Sequence, residues 1–167
     1  YLTEILEENR DMYFLIYTNG MLIDEKFCKK IAKLGNAAIL LSIEGRKEET
    51  DYRRGKGCYE KVMNAAFMLK KKRIIFGYTL TVSSQNADVI ADEDFFRYLV
   101  ETGASIIWLS TYLPVGSKSD LSMIPLPEQR VKLQHVISRL RRKLPVLIID
   151  FENDSRYVGG CTGAGRR

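Results

Sequence analysis

Short runs of apolar and β-branched residues alternate with longer stretches of helical period along the 167-residue chain. This alternation predicts repeated βα units and a parallel sheet, so the fold class is α/β. The predicted strands are Met12–Thr18, Ala37–Ile43, Ile74–Val82, Ser105–Tyr112 and Val146–Phe151. Their apolar composition favours burial on both faces. An open doubly wound sheet and part of a barrel both satisfy this pattern, and periodicity does not choose between them.

Helix start and stop signals lie between the predicted strands. Asp24 can cap a helix that carries an apolar stripe, and Gly35 stands where a left-handed residue would end it. Further helices are predicted over about Tyr59–Lys71, over about Asp92–Thr102 and from Pro127 to about Leu144. A content of 46% hydrophobic residues suffices for one sizeable core, so one main domain is expected.

Composition argues against several classes of protein. The three cysteines stand at wide, irregular spacings that fit neither a disulfide framework nor a self-contained zinc site, which favours a reducing, cytoplasmic setting. No apolar run is long enough to span a bilayer, so no membrane contact is expected. The net charge of +5 comes partly from Lys and Arg runs typical of solvated helix ends, so nucleic acid is not the expected partner.

Common catalytic motifs are also missing from the sequence. There is no Gly-rich P-loop, no G-x-G-x-x-G after a strand and no G-x-S-x-G nucleophile elbow. The only histidine, His135, falls in the last predicted helix, away from any strand end, and is expected to be a surface or packing residue. A histidine-based hydrolase is therefore not predicted.

Chemistry is expected at the carboxyl ends of the strands, because both architectures place their ligands at that edge. Small hydroxyl, amide and glycine residues there supply hydrogen-bond partners and let a ligand approach the backbone. Ordinary turn chemistry would explain any one of these segments alone. The four segments are Thr18-Asn19-Gly20, Ser42-Ile43-Glu44-Gly45, Thr79-Leu80-Thr81-Val82 with Asn86, and Tyr112-Leu113-Pro114-Val115-Gly116.

In this order, and together with Asp51-Tyr52-Arg53-Arg54-Gly55-Lys56-Gly57, these segments resemble the third to sixth βα units of radical S-adenosylmethionine (radical SAM) iron–sulfur enzymes. The resemblance extends from about Met12 to about Leu144. It implies a partial (β/α)6 TIM-like barrel, of which the chain would hold the C-terminal portion with about five parallel strands. Residues 1–150 would then form a barrel portion without its first strands, and residues 151–167 would begin a C-terminal extension. The chain is accordingly expected to be an excerpt of a longer protein.

The resemblance also implies the cofactors. In this family a [4Fe–4S] cluster held by a C-x-x-x-C-x-x-C loop binds S-adenosyl-L-methionine, whose reductive cleavage gives a 5′-deoxyadenosyl radical. Ser42 resembles the serine that hydrogen-bonds the methionyl carboxylate. Arg54 resembles the arginine that pairs with the same group, with Arg53 as the competing choice. For both arginines, a solvated charge in a basic loop is the alternative.

The remaining positions of the implied cofactor wall come from the same resemblance. Leu80 would contact the adenosine if it points inward, and Leu113 could do the same, whereas core packing is the alternative for both leucines. Glu44 stands where related sequences often carry Asp, and no firm role follows from that. The positions are Thr18 and Asn19 near the ribose or methionine, Glu44, and, towards the adenosine, Leu80, Thr81 and Leu113.

The cluster motif itself does not occur in the sequence, so the [4Fe–4S] ligands are expected outside this chain. Cys28 and Cys58 fall in predicted helices and are expected to be small buried hydrophobes. Cys161 lies in the Gly-rich segment 158–167, which resembles the start of an auxiliary-cluster (SPASM-like) extension. Its further ligands would follow Arg167, and a free thiol in a terminal tail is the alternative.

The leading hypothesis is a fragment of a radical SAM oxidoreductase or maturase that acts on a small molecule or on a peptide or protein. Its reductant would be a flavodoxin or a ferredoxin. The second hypothesis is a βα-barrel or open-sheet protein that binds an anionic metabolite at the same edge without radical chemistry. The third is a nucleic-acid-binding module built on the basic helix ends.

Overall fold

The computed structural model describes residues 1–117 and 119–159, without the side chains of residues 156 and 158. Five strands form one sheet in the order β1-β2-β3-β4-β5, and every neighbouring pair is parallel. The strands are β1 Phe14–Thr18, β2 Ala37–Ile43, β3 Phe76–Val82, β4 Ile106–Thr111 and β5 Leu147–Asp150. A doubly wound sheet reverses its strand order at a switch point, whereas this order increases without reversal, as in a barrel. The predicted partial barrel is confirmed.

The helices are α1 Leu2–Glu8, α2 Glu25–Leu34, α3 Lys47–Arg54, α4 Cys58–Lys71, α5 Ala87–Ile90, α6 Glu93–Glu101, the 3₁₀ turn Leu121–Met123, α7 Pro127–Leu140 and α8 Ser155–Val158. Helices α2 to α7 connect successive strands, whereas α1 precedes β1 and α8 follows β5. The predicted limits of α2 are confirmed, because Asp24 accepts a hydrogen bond from the Phe27 N–H at 2.7 Å and Gly35 is left-handed with φ of 70°. None of the described helices is long and apolar enough to cross a membrane.

The two faces of the sheet differ in what covers them. Leu41, Ile43, Leu80 and Val82 belong to the core that the strands share with helix residues such as Leu69. The alternate strand residues point to the opposite, concave face. The composition of β1 predicted burial on both faces, and this is wrong for the concave face. There Leu15 and Tyr17 are 40% and 50% exposed.

The sheet is strongly curved. The rings of Tyr17 in β1 and Trp108 in β4 meet edge to face, with centroids 5.8 Å apart. Three strand spacings would separate these strands by about 14 Å in a flat sheet. Both side chains therefore lie on the concave face and approach each other across it, as in the interior of a barrel.

Residues after β5 remain attached to the βα unit. Arg141, which directly follows α7, holds the Asp154 carboxylate with two hydrogen bonds of 2.9 and 2.7 Å, and the Asp154 Oδ2 accepts from the backbone N–H of Asp150 at 3.0 Å. The Glu152 carboxylate accepts from the backbone N–H of Thr111 at 2.7 Å. The first residues after position 150 are thus fastened to the sheet, and a separate extension over 151–167 stays a prediction.

Candidate functional site

Helix α3 and the two turns around it are held by side chains of the segment Glu49-Thr50-Asp51. Glu49 accepts from the backbone N–H of Arg46 at 2.9 Å, which caps the start of α3. The Asp51 carboxylate accepts from the backbone N–H groups of Gly57 at 3.0 Å and Tyr59 at 2.8 Å, which caps α4. These backbone hydrogen bonds lower the pKa of Asp51. The β2–α3–α4 corner is therefore fixed by local polar contacts.

Arg53 and Arg54 end α3, so the alternative that placed both arginines in a basic loop does not apply. Cations are favoured in the last turn of a helix, and Glu48 and Glu49 occupy the first turn, where anions are favoured. A helix was not predicted here because the segment has no apolar stripe, and Thr50 is the only residue of α3 that is buried.

Both arginines bind the carboxylate of Glu44, which stands just after β2. The Glu44 side chain is 2% exposed. Its Oε2 accepts from Nη1 of Arg53 at 2.6 Å, and its Oε1 accepts from Nε of Arg54 at 2.8 Å and lies 2.6 Å from Nη2 of the same guanidinium. The two arginine cations neutralise the buried Glu44 carboxylate. The cluster of these three side chains carries one net positive charge. The arginines are thus not merely solvated charges.

Two pockets flank this cluster at the carboxyl edge. The first, the Arg54 pocket, has a volume of about 270 Å³ and is lined by Asn19, Met21, Arg54, Cys58 and Val62. The second, the Arg53 pocket, has a volume of about 390 Å³ and is lined by Glu44, Glu48, Glu49, Tyr52, Arg53, Ser83, Gln85 and Asn86. The structure therefore brings two residues of the predicted cofactor wall, Asn19 and Arg54, into one cavity.

Ser42 lies on the concave face near the end of β2. It is half-buried, while its neighbours Leu41 and Ile43 are fully buried in the core on the other side. In the next strand its partner in register is Thr79. Thr81 lies two residues further along the same face and is also half-buried. Ser42 and Thr81 of the predicted wall are therefore accessible from the concave side.

Thr18 and Asn19 have different positions in the first turn. Thr18 has the strand phase of Phe14 and Ile16, which pack against the core, and its Oγ1 accepts from the backbone N–H of Gly20 at 3.1 Å. Asn19 is exposed, and its Oδ1 accepts from the backbone N–H of Met21 at 3.1 Å. Thr18 thus shapes the turn, and Asn19 is the residue of this pair that lines a pocket.

The two predicted leucine contacts also differ. Leu80 is 1% exposed and packs in the core, so it does not point inward; its predicted contact with the adenosine is wrong and the core-packing alternative applies. The reason is strand alternation, which puts Leu80 and Thr81 on opposite faces. Leu113 is 60% exposed in the loop after β4, so the core-packing alternative does not apply to it.

Aromatic residues on the concave face were not predicted from the sequence. Trp108 stacks on Phe151 with ring centroids 5.6 Å apart and also meets Tyr17 edge to face. Burial raises the pKa of Tyr17. Alternation within β4, where Trp108 and Ser110 share one face, is the signal that could have found them.

The described cysteines do not form a metal site. Cys28 is fully buried in the core, as predicted. Cys58 is only half-buried and lines the Arg54 pocket, which corrects the expectation of a buried hydrophobe; its Sγ lies 3.0 Å from the Arg54 carbonyl oxygen. Within residues 1–117 and 119–159, no three His, Cys, Asp or Glu side chains are placed to bind a metal ion. Cys161 lies outside the described residues, and His135 is exposed in α7, as expected.

The fold and the site define a class: a curved, parallel βα half-barrel with an arginine–carboxylate cluster and two pockets at its carboxyl edge. The sequence model of the radical SAM superfamily matches residues 1–92, which is more than half of the chain. The chain therefore belongs to the radical SAM superfamily, and the resemblance inferred from the strand-end segments is confirmed.

Three similar proteins illustrate the relationship. An uncharacterized protein of Methanocaldococcus jannaschii is 29% identical over 134 residues, which cover 78% of this chain and 46% of that protein. Fe-coproporphyrin III synthase of Methanosarcina barkeri is 26% identical over 167 residues, which cover 89% of this chain and 39% of the synthase. The structure of anSMEcpe with bound AdoMet and Cp18Cys peptide has a TM-score of 0.74 at 21% identity, covering 98% of this chain and 50% of that protein. The chain thus spans half or less of the length of these relatives.

Proposed function

We propose that the protein containing this chain is a radical SAM oxidoreductase or maturase. It reductively cleaves S-adenosylmethionine with a [4Fe–4S] cluster to give a 5′-deoxyadenosyl radical. The observation that carries this proposal is the pairing of Arg53 and Arg54 with one buried carboxylate beside the Arg54 pocket, in a chain of this superfamily.

The chain's residues fit S-adenosylmethionine. The cluster of Glu44 with two arginines leaves one positive charge, which suits the methionyl carboxylate. Arg54 and the Ser42 hydroxyl would hold that carboxylate, and Asn19 would line the adjoining part of the ligand. Thr81 on the concave face and the exposed Leu113 would approach the adenosine. These residues bind and orient the ligand and exclude water from one side of it.

The described residues do not fit the iron–sulfur cluster, because no set of three candidate ligands occurs among them. The sequence also lacks a C-x-x-x-C-x-x-C motif. We infer that the cluster ligands belong to a part of the protein outside these 167 residues. A ligand role of Cys161 in an auxiliary cluster, and an extension that starts near residue 151, are further parts of this proposal.

A peptide or a small molecule is the proposed substrate. The anSMEcpe structure contains a Cp18Cys peptide, and SuiB has been solved bound to its precursor peptide SuiA. The exposed apolar side chains of the β4–α7 loop, Leu113, Val115 and Leu121, lie after the end of β4 and suit either substrate. The proposed reductant is a flavodoxin or a ferredoxin, and irregular cysteine spacing favours a cytoplasmic setting.

The test is S-adenosylmethionine cleavage by the full-length protein. After anaerobic reconstitution with iron and sulfide and reduction with dithionite, the protein should show cluster absorbance and produce 5′-deoxyadenosine, measured by liquid chromatography and mass spectrometry. An unreduced sample is the matched control and should produce none. A reconstituted protein with neither cluster absorbance nor product would favour the anionic-metabolite hypothesis instead.

A further inference from the structure

Glu44 is placed to direct two arginines toward two different cavities. Arg54, on its Oε1, lines the Arg54 pocket. Arg53, on its Oε2, lines the Arg53 pocket. Glu44 itself lines only the second of these pockets and has a side chain that is 2% exposed. One carboxylate therefore sets the orientation of both guanidinium groups.

We propose that Glu44 is a positioning residue for carboxylate recognition: it fixes Arg54 so that the unused edge of its guanidinium faces the ligand. Glu44 does not touch the ligand. This inference rests on the proposed function, because the ligand is the methionyl carboxylate of S-adenosylmethionine.

The hydrogen-bond inventory of Arg54 supports this role. A guanidinium has five N–H donors in a planar fork. Nε and Nη2 of Arg54 are directed to Oε1 of Glu44. Across the described ranges 1–117 and 119–159, Arg54 has no ion pair other than the one with Glu44. Nη1 and the second N–H of Nη2 therefore remain for a ligand carboxylate. These two donors lie along one edge of the guanidinium and can form two parallel hydrogen bonds with the two carboxylate oxygens.

Glu44 is itself rigid enough to orient another side chain. Its backbone N–H donates to Oγ1 of Thr50 at 3.1 Å, and its carbonyl oxygen accepts from Nδ2 of Asn86 at 2.8 Å. Thr50 and Asn86 are buried as well. A side chain that is already ordered loses less conformational entropy when the ligand binds, so this arrangement favours tight binding.

Two effects of Glu44 have opposite signs, which makes the proposal testable. As a negative charge, Glu44 opposes a second carboxylate, so its neutralisation would strengthen ligand binding. As an orienting group, it holds Arg54 in a productive position, so its neutralisation would weaken binding. Both arginines are partly exposed, with side chains 34% and 28% accessible, and solvent screens the charge effect there. The proposal therefore predicts that the orienting effect dominates.

The experiment compares two ligands of the reconstituted full-length protein by anaerobic equilibrium binding. S-adenosylhomocysteine carries the amino-acid carboxylate, and 5′-methylthioadenosine lacks it. Glu44→Gln should raise the Kd of S-adenosylhomocysteine about tenfold or more while the Kd of 5′-methylthioadenosine changes by less than about twofold. Glu44→Asp keeps the charge on a shorter side chain. It should raise the ratio of the Kd of S-adenosylhomocysteine to the Kd of 5′-methylthioadenosine about threefold. Glu128→Gln, which removes an exposed charge in the first turn of α7 and changes neither pocket, is the control and should leave the ratio unchanged.

Tighter or unchanged binding of S-adenosylhomocysteine by Glu44→Gln would overturn the proposal. So would equal weakening of both ligands in a variant that keeps the thermal transition of the wild type, because that is the result of a purely structural role. If Glu44→Gln does not fold, Glu44→Asp decides, and an unchanged Kd ratio overturns the proposal. A wild-type protein that binds neither ligand would instead refute the proposed function and this inference with it.

Discussion

The side chain of Asn86 donates to the backbone carbonyl of Glu44 at 2.8 Å, across 42 residues of sequence. The same Nδ2 donates to the carbonyl of Thr81 at 2.9 Å, and Oδ1 accepts from the backbone N–H of Ser83 at 2.7 Å. Asn86 is 3% exposed, so these contacts form away from water. One buried amide thus joins the ends of β2 and β3, where the proposed site lies.

Replacement of Asn86 is expected to destabilise the protein. Asn86→Ala leaves buried backbone groups at the ends of β2 and β3 without a partner, so the free energy of unfolding should fall by about 2–3 kcal/mol. Urea denaturation followed by circular dichroism measures this change. The exposed neighbour Gln85 is the control, and Gln85→Ala should cost less than about 0.5 kcal/mol. Similar small losses for both variants would show that Asn86 does not fasten the two strands.

The two arginines of the Glu44 cluster are expected to differ in function. Arg54→Ala should raise the Kd of S-adenosylmethionine roughly tenfold to a hundredfold, because the charge beside Asn19 is lost. Arg53→Ala should raise it less than about threefold, because Arg53 lines the other pocket. Each variant leaves Glu44 with one arginine partner, so both should fold. Equilibrium binding to the full-length protein measures the difference, and equal effects would remove the assignment of Arg54.

Gly77 should tolerate no side chain. It pairs with Ile106 of β4, and a Cβ built on Gly77 would lie 2.7 Å from the Ile106 carbonyl carbon and closer still to its oxygen. Because the obstruction is backbone, Gly77→Ala should lower the free energy of unfolding by about 3 kcal/mol or more. Gly35→Ala is the comparison, since only its left-handed φ opposes a side chain there, at a cost of about 1–2 kcal/mol. Denaturation midpoints test the order, and an equal cost for both variants would contradict it.

Asp150 is expected to make stability depend on pH. Burial raises the pKa of its carboxyl above the ordinary value, although hydrogen bonds from the Asn153 side chain oppose the rise. The folded protein therefore binds this proton more tightly than the unfolded chain. The contribution of Asp150 to stability is present below the unfolded pKa of about 3.9 and is lost as the pH rises through the folded value.

Asp150→Asn should remove this decline, because the amide has no charge to desolvate. Unfolding free energies measured by urea denaturation at several pH values above 4 should therefore fall less steeply for the variant than for the wild type. Asp154→Asn is the contrasting variant: it weakens the ion pair with Arg141, so it should destabilise the protein near neutral pH. Parallel pH profiles for the wild type and Asp150→Asn would contradict the prediction.

The fold was largely predictable because its signals are local. The cap at Asp24, the left-handed Gly35 and the apolar stripe between them determine α2 without reference to the rest of the chain. The central part of each strand was predicted as well: β2 has the predicted limits, and each of the other four strands is two residues shorter than predicted. Helix α3 escaped prediction because it is stabilised by polar contacts such as that of Glu49 with the Arg46 N–H, and not by an apolar face.

The site was less predictable because it depends on which face a strand residue occupies. The segment Thr79-Leu80-Thr81 is apolar and polar in alternation, but the sequence does not say which phase meets the helices. The structure assigns Leu80 to the core and Thr81 to the concave face. The sequence likewise suggested Arg53 and Arg54 as alternatives for the one arginine that pairs with the methionyl carboxylate. In the structure both arginines form an ion pair with Glu44.

A crystal structure of the anaerobic full-length protein with bound S-adenosylmethionine tests the central claim most directly. The account predicts that the methionyl carboxylate lies within hydrogen-bond distance, about 2.7–3.2 Å, of Arg54 and of the Ser42 hydroxyl. It also predicts that Glu44 keeps its contact with Arg54 in the complex. A carboxylate bound elsewhere, with Arg54 and Ser42 making no contact to the ligand, would contradict the account.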